Sequence, residues 1–560
     1  MTDQPLDRTP GTGEVLNQPP PFENVNLYRT DAALRAAVRC QGGEFAEARL
    51  AALGEVVGSA EVIRLAELAN RFTPELKTHD RFGHRIDEVE FHPAWHELMA
   101  LAIRHRVPSL AWVEKRPGAQ VARAALAYLW TQGEAGVSCP MAMTFAGVPV
   151  LRHLPALAAE WEPRFASDTY DRRFIPAAEK TGATFGMAMT EKQGGSDLRA
   201  NTTRARPEGR RGPGEAYRLS GHKWFCSAPM SDAFLTLAYA EGGLSCFFVP
   251  RFLEDGSKNR ILLQRLKAKL GNRSNASAEI EYDETWGRLV GEEGRGVATI
   301  IGMVQGTRLE CALGSAGLMR QALVQALHHC SYRTAFQRRL IDQALMQNVL
   351  ADLALECEAA TALAFRVARA FDDAVREPKA RGFARIATAI AKYWICKRAP
   401  GHIGEALECH GGNGYVEECM MPRLYREAPV NGIWEGSGNV ICLDVLRALE
   451  REPESVEALL AELNTARGAD RRYERFVERL ERQLAERGGL EARVRRLVED
   501  AALALEASLL LRHAPPAIAD AFCASRLDDV PGGAHGLAFG TLPAGLDFRA
   551  IIERAMPVEG

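Results

Sequence analysis

The residue in this chain best placed to do chemistry is a carboxylate set between a tryptophan and a glycine. Glu435 lies in Ile433-Trp434-Glu435-Gly436-Ser437-Gly438-Asn439. Apolar neighbours disfavour its charged form and can lift its pKa into the range useful to a general base. A second stretch, Gly186-Met187-Ala188-Met189-Thr190-Glu191-Lys192-Gln193-Gly194-Gly195-Ser196-Asp197, mixes glycines, hydroxyls and a carboxylate between short β-like segments. Glycine lacks the Cβ that would block approach, so such a loop can bring backbone N–H groups close to a planar polar ligand. Each stretch alone has an ordinary reading, as a turn and as a structural Glu beside a Trp.

Read together with Lys223-Trp224-Phe225 and Gly411-Gly412-Asn413-Gly414-Tyr415, their order and rough spacing resemble the acyl-CoA dehydrogenase flavoproteins. Two longer strings, Thr190 to Asp197 and Leu424-Tyr425-Arg426-Glu427 through Asn439, resemble the DNA-associated, alkylation-response branch of that family. The resemblance runs from about Asn26 to the tail and weakens after about residue 450.

In such a protein a base removes the α-proton of an acyl thioester while a hydride leaves the β-carbon for a flavin. By resemblance Glu435 is that base. The resemblance also implies FAD contacts at Met187, Met189, Thr190, Gly195 and Ser196, then at Trp224, Phe225, Cys226 and Ser227. Around the base it implies contacts from Ile433, Trp434, Gly436, Ser437 and Asn439. Arg333, Phe336 and Gln343 resemble the segment that meets the nucleotide half of FAD. His410, Gly411 and Gly412 resemble the part normally given by a neighbouring subunit, which implies a homotetramer. Three positions depart from the pattern. Gln337 replaces a glycine, and Cys226 replaces a Ser or Thr near the reactive edge of the flavin. Thr307 stands where the isovaleryl-specific branch carries its base, which leaves Glu435 as base and Glu310 as an ordinary helix residue.

The elements that must position these groups follow from hydropathy. From Thr30 to about Glu179 apolar residues recur three or four apart, with Val121 to Ala146 as one long helical pattern. Trp95, Trp112, Trp130, Met141 and Met143 read as its core. From about Gly182 to Glu292 short alternating or apolar runs between Gly and Asp turns predict a β domain, with Glu241-Gly242-Gly243 as a hairpin loop. From Gly296 to Leu449 long amphipathic stretches, Ala312 to His328 and Gln347 to Phe371, suit a four-helix bundle whose last helix follows Glu435. The fold class expected is α+β, mainly α. Residues 1–25 form an arm, 26–181 a helical domain, 182–292 a β-barrel-like flavin domain, 293–449 the bundle, and 450–560 an extra helical domain.

The chain of 560 residues is 47% hydrophobic and 25% charged, with a net charge of -3. That is ordinary for a soluble globular protein and gives no bulk electrostatic case for nucleic acid or membrane. The 12 cysteines lack C-x-x-C spacing, and no apolar run is long enough to span a bilayer, so a reduced, cytoplasmic protein is expected, with no metal. Residues 451–560 hold 15 Arg and no Lys against 19 acidic residues, but 471–496 alone hold nine Arg against five Glu. Arg471, Arg475, Arg479 and Arg482 share one helix face, flanked by Glu474, Glu478 and Glu481. That face either packs on a neighbour through Phe476, Leu480 and Leu484 or tracks the phosphates of double-stranded DNA, with Arg447 as a further contact. Three functions stay open. One is a DNA-associated flavoprotein of the alkylation response with weak, isovaleryl-CoA-like dehydrogenase activity on an acyl-CoA-like small molecule. Another is a metabolic dehydrogenase whose tail builds the oligomer, and the last is a flavin-bound scaffold with neither activity.

Overall fold

The computed structural model describes residues 16–486, 488–527 and 538–558. The prolines and glycines at 5–13 of the expected arm lie outside them. Residues 16–25 run extended along the protein: Asn17 exchanges hydrogen bonds with Thr334, and the His328 ring meets the Pro20 carbonyl at 2.8 Å. The arm then presses on Gly58, where a Cβ would come within 1.8 Å of the Val25 carbonyl oxygen. Only glycine permits that approach.

Helices α1 (Ala32–Cys40), α2 (Glu47–Val57) and α3 (Ala60–Arg71) start where capping side chains allow. Asp31 accepts from the Leu34 N–H and Ser59 from the Val62 N–H, each satisfying a donor that the first turn leaves unpaired. Next comes a departure from the all-helical expectation. Strands β1 (Glu75–His79) and β2 (Arg85–Glu90) form an antiparallel hairpin. Its turn is held by Asp80, whose carboxylate accepts from the N–H groups of Phe82 and His84. Helices α4 (Pro93–Arg104) and α5 (Leu110–Val113) lead to α6 (Ala119–Gly133), α7 (Ala135–Leu151) and α8 (Pro155–Phe165). The single pattern expected from Val121 to Ala146 is thus two helices. Glu134 breaks it in an extended conformation, and its carboxylate caps α7 through the Val137 N–H while accepting from the Ser274 hydroxyl at 2.7 Å. Trp95, Trp130, Met141 and Met143 are core residues, and Trp112 packs beside Phe145.

The β domain comprises β3 (Phe185–Ala188), β4 (Arg204–Pro207), β5 (Ala216–Ser227), β6 (Ala233–Ala240), β7 (Gly243–Pro250), β8 (Ile261–Leu266) and β9 (Ser277–Val290). Pairing runs β6-β4-β5-β9-β7 and returns to β6, which closes a barrel; β3 lies parallel to β6 and β8 pairs with β9. On β6, Phe234 and Ala238 belong to one apolar core, and Leu235 and Leu237 to a second shared with α7 and α8. Burial of both faces explains its continuous apolar sequence. Inside, Lys223 reaches Glu191 at 2.8 Å, both side chains fully buried. Glu191 also accepts from the N–H and hydroxyl groups of Thr202 and Thr203. Burial pushes its carboxyl up, but these donors, Lys223 foremost, outweigh it and hold Glu191 well below the usual carboxylate range.

Helices α9 (Gly296–Tyr332), α10 (Ala344–Ala374), α11 (Pro378–Glu408), α12 (Met421–Asn431) and α13 (Gly438–Arg451) form the bundle. The tail adds α14 (Pro453–Asn464), α15 (Arg471–Ala485), α16 (Leu490–His513), α17 (Pro516–Phe522) and α18 (Phe548–Ala555). It does not stand apart, since Leu459, Leu463, Phe476, Leu480 and Leu505 join the same apolar core as the bundle. Buried Arg526 pairs with Asp352 and Glu356 of α10, and the Gly540 N–H donates to Asp352 at 2.9 Å. Midway along α9 the buried Arg320 donates to the carbonyls of Thr30 and Ala555 and pairs with Asp31, so segments far apart in sequence meet one guanidinium. Among the described residues no helix is long and apolar enough to cross a membrane, and no cluster of His, Cys, Asp and Glu could hold a metal ion.

Removing one member of a buried ion pair leaves the other charge uncompensated. We expect Lys223→Met to lower the free energy of urea unfolding by about 3–5 kcal/mol. A loss near zero would show that the threonine donors alone satisfy Glu191.

Candidate active site

Glu435 occupies the loop between α12 and α13 in a left-handed conformation, with φ at 60°. A residue with a Cβ holds that conformation only when its surroundings impose it. Here α9 and α11 impose it. Arg308 donates to the Glu435 carbonyl at 3.1 Å, and the buried Lys392 donates to the Gly436 carbonyl. Arg308 is itself fixed by Asp444 at 2.6 Å, which Arg385 grips from α11 at 2.9 and 3.1 Å. Trp434 is anchored through its indole N–H to Asn431 at 3.0 Å.

The carboxylate oxygen Oε2 accepts from the Thr307 hydroxyl at 2.8 Å. Thr307, the position where one branch of the resembling family carries its base, is therefore a hydrogen-bond donor to Glu435. Burial raises the Glu435 pKa above the ordinary glutamate value, while Thr307, Arg308 and Lys392 pull it back. Glu310, on the same helix, pairs with the buried Arg123 and has a structural partner.

The flavin-loop residues converge on the same apolar surface. Met187, Met189 and Trp434 pack against one core that includes Cys139, Met143 and Met303. The Trp224 N–H donates to the Thr190 carbonyl at 2.8 Å, which joins the two motifs side by side. Gly195 folds back on Thr190 so closely that a Cβ would lie 2.3 Å from its hydroxyl, while Ser196 is exposed at the loop tip. Lys267 sits 3.2 Å over the Trp224 ring and 4.8 Å over the exposed Phe225.

Cys226 is placed differently from expectation. A bulge between Lys223 and Cys226 turns both side chains into the barrel, so Cys226 is fully buried and its thiol pKa is pushed up to about 12. Ser227, the next residue, is only partly buried, with its hydroxyl 3.3 Å from that of Ser277. Side chains three apart share a side here because a bulge adds a residue to one strand.

Arg333, Phe336 and Gln343 lie around the hairpin of β10 (Thr334–Ala335) and β11 (Arg338–Arg339). Its turn residues Phe336 and Gln337 both have positive φ, which accounts for the glycine expected at 337. Gln343 donates to the Ala335 carbonyl at 3.0 Å, and Arg333 to the Asn17 carbonyl at 2.8 Å. His410 is buried beside His329, with ring centroids 4.7 Å apart, whereas a Cβ at Gly411 or Gly412 would meet nothing within 4 Å. The arm touches both segments, Asn17 at Thr334 and Gln18 at Asn413, so they share one end of the bundle. Ile433 and Asn439 are exposed, Gly436 has a positive φ, and Ser437 precedes α13. Sequence reasoning missed Arg308, Lys392 and Asp444, which carry no local motif and act only through the packing of α9, α11 and α13.

Of the tail residues, Arg471, Arg475 and Arg482 are exposed, and Arg479 lies over the Phe476 ring at 4.6 Å. Phe476 and Leu480 are buried and Leu484 partly so. Glu474 and Glu481 both reach Arg467, outside the expected Arg face, at 2.9 and 2.7 Å. Arg447 is exposed, with Asp444 3.8 Å away.

Comparison with known proteins assigns the family. Residues 17–172 match the adaptive response protein AidB N-terminal domain, 186–285 the acyl-CoA dehydrogenase middle domain, and 294–450 the acyl-CoA dehydrogenase C-terminal domain. The chain is 48% identical to the putative acyl-CoA dehydrogenase AidB of Escherichia coli K12, across 92% of this chain and 95% of that protein. It is 32% identical to acyl-CoA dehydrogenase family member 11 of Caenorhabditis elegans, over 78% of this chain and 71% of that one. The structure of Caenorhabditis elegans ACDH-11 in complex with C11-CoA superposes with a TM-score of 0.83 at 27% identity, covering 92% and 94% of the two chains. The chain belongs to the acyl-CoA dehydrogenase family, in its AidB-like branch, and members of that family bind FAD. The open backbone at Gly411 and Gly412, the Arg333 cation and the Met189, Thr190 and Trp224 surface are compatible with such a dinucleotide.

The strain at Glu435 is open to test. Glu435→Gly should be more stable to urea than Glu435→Ala by about 1 kcal/mol, because glycine alone takes the left-handed turn without cost. Equal stabilities would show that the turn relaxes.

Proposed function

We propose that this protein is an FAD-dependent flavoprotein of the AidB type that retains acyl-CoA dehydrogenase chemistry at Glu435 and associates with double-stranded DNA. The observation that carries the catalytic part is the half-buried Glu435 carboxylate beside the Met189 and Trp434 surface, bonded by Thr307, with its backbone loop held by Arg308 and Lys392. Met187, Met189, Thr190, Ser196 and Trp224 would hold the isoalloxazine, and Arg333, Gln343 and the Gly411–Gly412 turn the nucleotide. When bound, FAD supplies the acceptor for the hydride. The chain itself supplies the rest. Glu435 takes the α-proton of an acyl thioester on a carboxylate oxygen, and the Thr307 hydroxyl steadies the charged form. Trp434 and the methionines keep water from the reacting carbons. Thr307 carries no carboxylate, which leaves Glu435 as the single base, and one carboxylate suffices for the proton transfer.

The exposed aromatic and aliphatic side chains Phe336, Leu345 and Tyr415 cluster near the nucleotide end, which supports a homotetramer in which neighbouring subunits complete the FAD sites. For DNA, the supporting features are the AidB-like relatives and the exposed Arg447, Arg471, Arg475 and Arg482. Such contacts would be sequence-independent and salt-sensitive, and would serve the response to alkylation damage in the cytoplasm. A metabolic dehydrogenase whose tail serves only assembly is the competing reading, and absence of DNA binding at low salt would favour it.

Two measurements decide between them. Glu435→Gln should keep FAD and abolish acyl-CoA-driven bleaching of its absorbance, whereas persistent bleaching would place the base elsewhere. In the same assay the rate should rise with pH through a limb above the ordinary glutamate pKa. Thr307→Val removes a donor to the charged form, so the limb should move to higher pH; an unmoved limb would separate Thr307 from the base. For DNA, fluorescence anisotropy of a labelled duplex should show Arg447→Ala weakening binding alike across unrelated sequences. It should also reduce the slope of log K against log salt by about 0.9. An unchanged slope would exclude Arg447 as a phosphate contact.

A further inference from the structure

A cavity of about 500 Å³ opens between β2, α4, the 169–184 segment and the 228–232 turn, and none of the residues assigned above to flavin or base lines it. Its size is that of a small-molecule site. One wall is aromatic: Phe91 and Trp95 stack with centroids 3.9 Å apart, and His96 stacks on Tyr170 with its Nδ1 2.9 Å from the phenol oxygen. Met99, Ile103, Pro140 and Met230 supply the apolar remainder. Burial holds His96 down at about 4 and Tyr170 far up, so at neutral pH this pair is uncharged.

The charges around the cavity leave one cation over. Lys180 pairs with Asp232 at 2.7 Å, Arg173 with Asp171 at 2.6 Å, Glu88 with Lys258 at 3.5 Å, and Glu90 with Lys77. Among the described residues Arg172 alone of the lining charges has no ion-pair partner, and it is exposed at the rim. Two buried polar atoms of the wall residues, Trp95 Nε1 and Ser231 Oγ, have no hydrogen-bond partner. Neither atom has surface on the cavity, so what a ligand meets is the aromatic wall, the apolar side chains and Arg172.

We propose that this cavity is a second small-molecule site that takes a planar aromatic carboxylate of one or two rings. The ring lies against the Phe91–Trp95 wall and the carboxylate faces Arg172, whose guanidinium matches it in two-pronged fashion. The site stands independently of the acyl-CoA and DNA readings, because its residues are separate from theirs.

Calorimetric titration of the full-length, FAD-loaded protein tests it. The probes are 2-naphthoate, its neutral counterpart 2-naphthylmethanol, and the non-planar acid decanoate. The expected result is one naphthoate per chain, bound at least about tenfold more tightly than either other probe. Arg172→Ala should weaken naphthoate about tenfold and leave the alcohol unchanged, Trp95→Phe should weaken both aromatic probes, and Glu435→Gln should leave the affinity for all three probes as it is. No saturation with naphthoate at millimolar concentration overturns the proposal. So does naphthoate binding that survives Arg172→Ala but is lost with Glu435→Gln, which would put the ligand at the flavin site.

Discussion

A half-buried carboxylate on a left-handed turn is unstable by itself in two ways, through its backbone and through its charge. The surrounding helices answer both with the same residues. Arg308 and Lys392 donate to the carbonyls of Glu435 and Gly436, which fixes the backbone, and their charges favour the ionised side chain. Asp444 and Arg385 then hold Arg308, so the geometry of the loop depends on the relative placement of α9, α11 and α13. The bundle is thus the frame that gives one glutamate its conformation and its proton affinity. The tail helices extend the same apolar core and brace that frame from outside.

The barrel plays the complementary part. It carries the flavin loop on β3 and Trp224 on β5, and the hydrogen bond from Trp224 to Thr190 makes them one surface. The buried Glu191–Lys223 pair ties the loop to the barrel interior. Glu191 belongs to the loop string that resembles the family, but its place in the structure is that of a foundation. The Glu134 junction does similar work between α7 and the strand loop at Ser274.

Fold class, the order of the layers and the family were legible because they rest on local signals: hydropathy period for the helices and strands, and compact motifs around Glu435 and in the 186–197 loop. The hairpin of β1 and β2 escaped because Glu75–His79 and Arg85–Glu90 are largely polar. Their alternation around Asp80 and Gly83 was the available signal. The break at Glu134 is a cap inside an apolar run, where hydropathy does not fall. The full burial of Cys226 was not legible because a bulge is a matter of pairing between distant strands. The arginines and lysine that hold the Glu435 loop, and the cavity beside Trp95, arise only when segments far apart in sequence meet.

Arg320 also bears on how the molecule comes apart. Its guanidinium lies in the middle of α9, yet its partners are Asp31, Thr30 and Ala555, more than 500 residues apart in sequence. Asp352 on α10 holds Arg526 and Gly540 in the same way. Undocking α1 or α18 would strip a buried cation of its acceptors, so these helices and the bundle make one cooperative unit in unfolding.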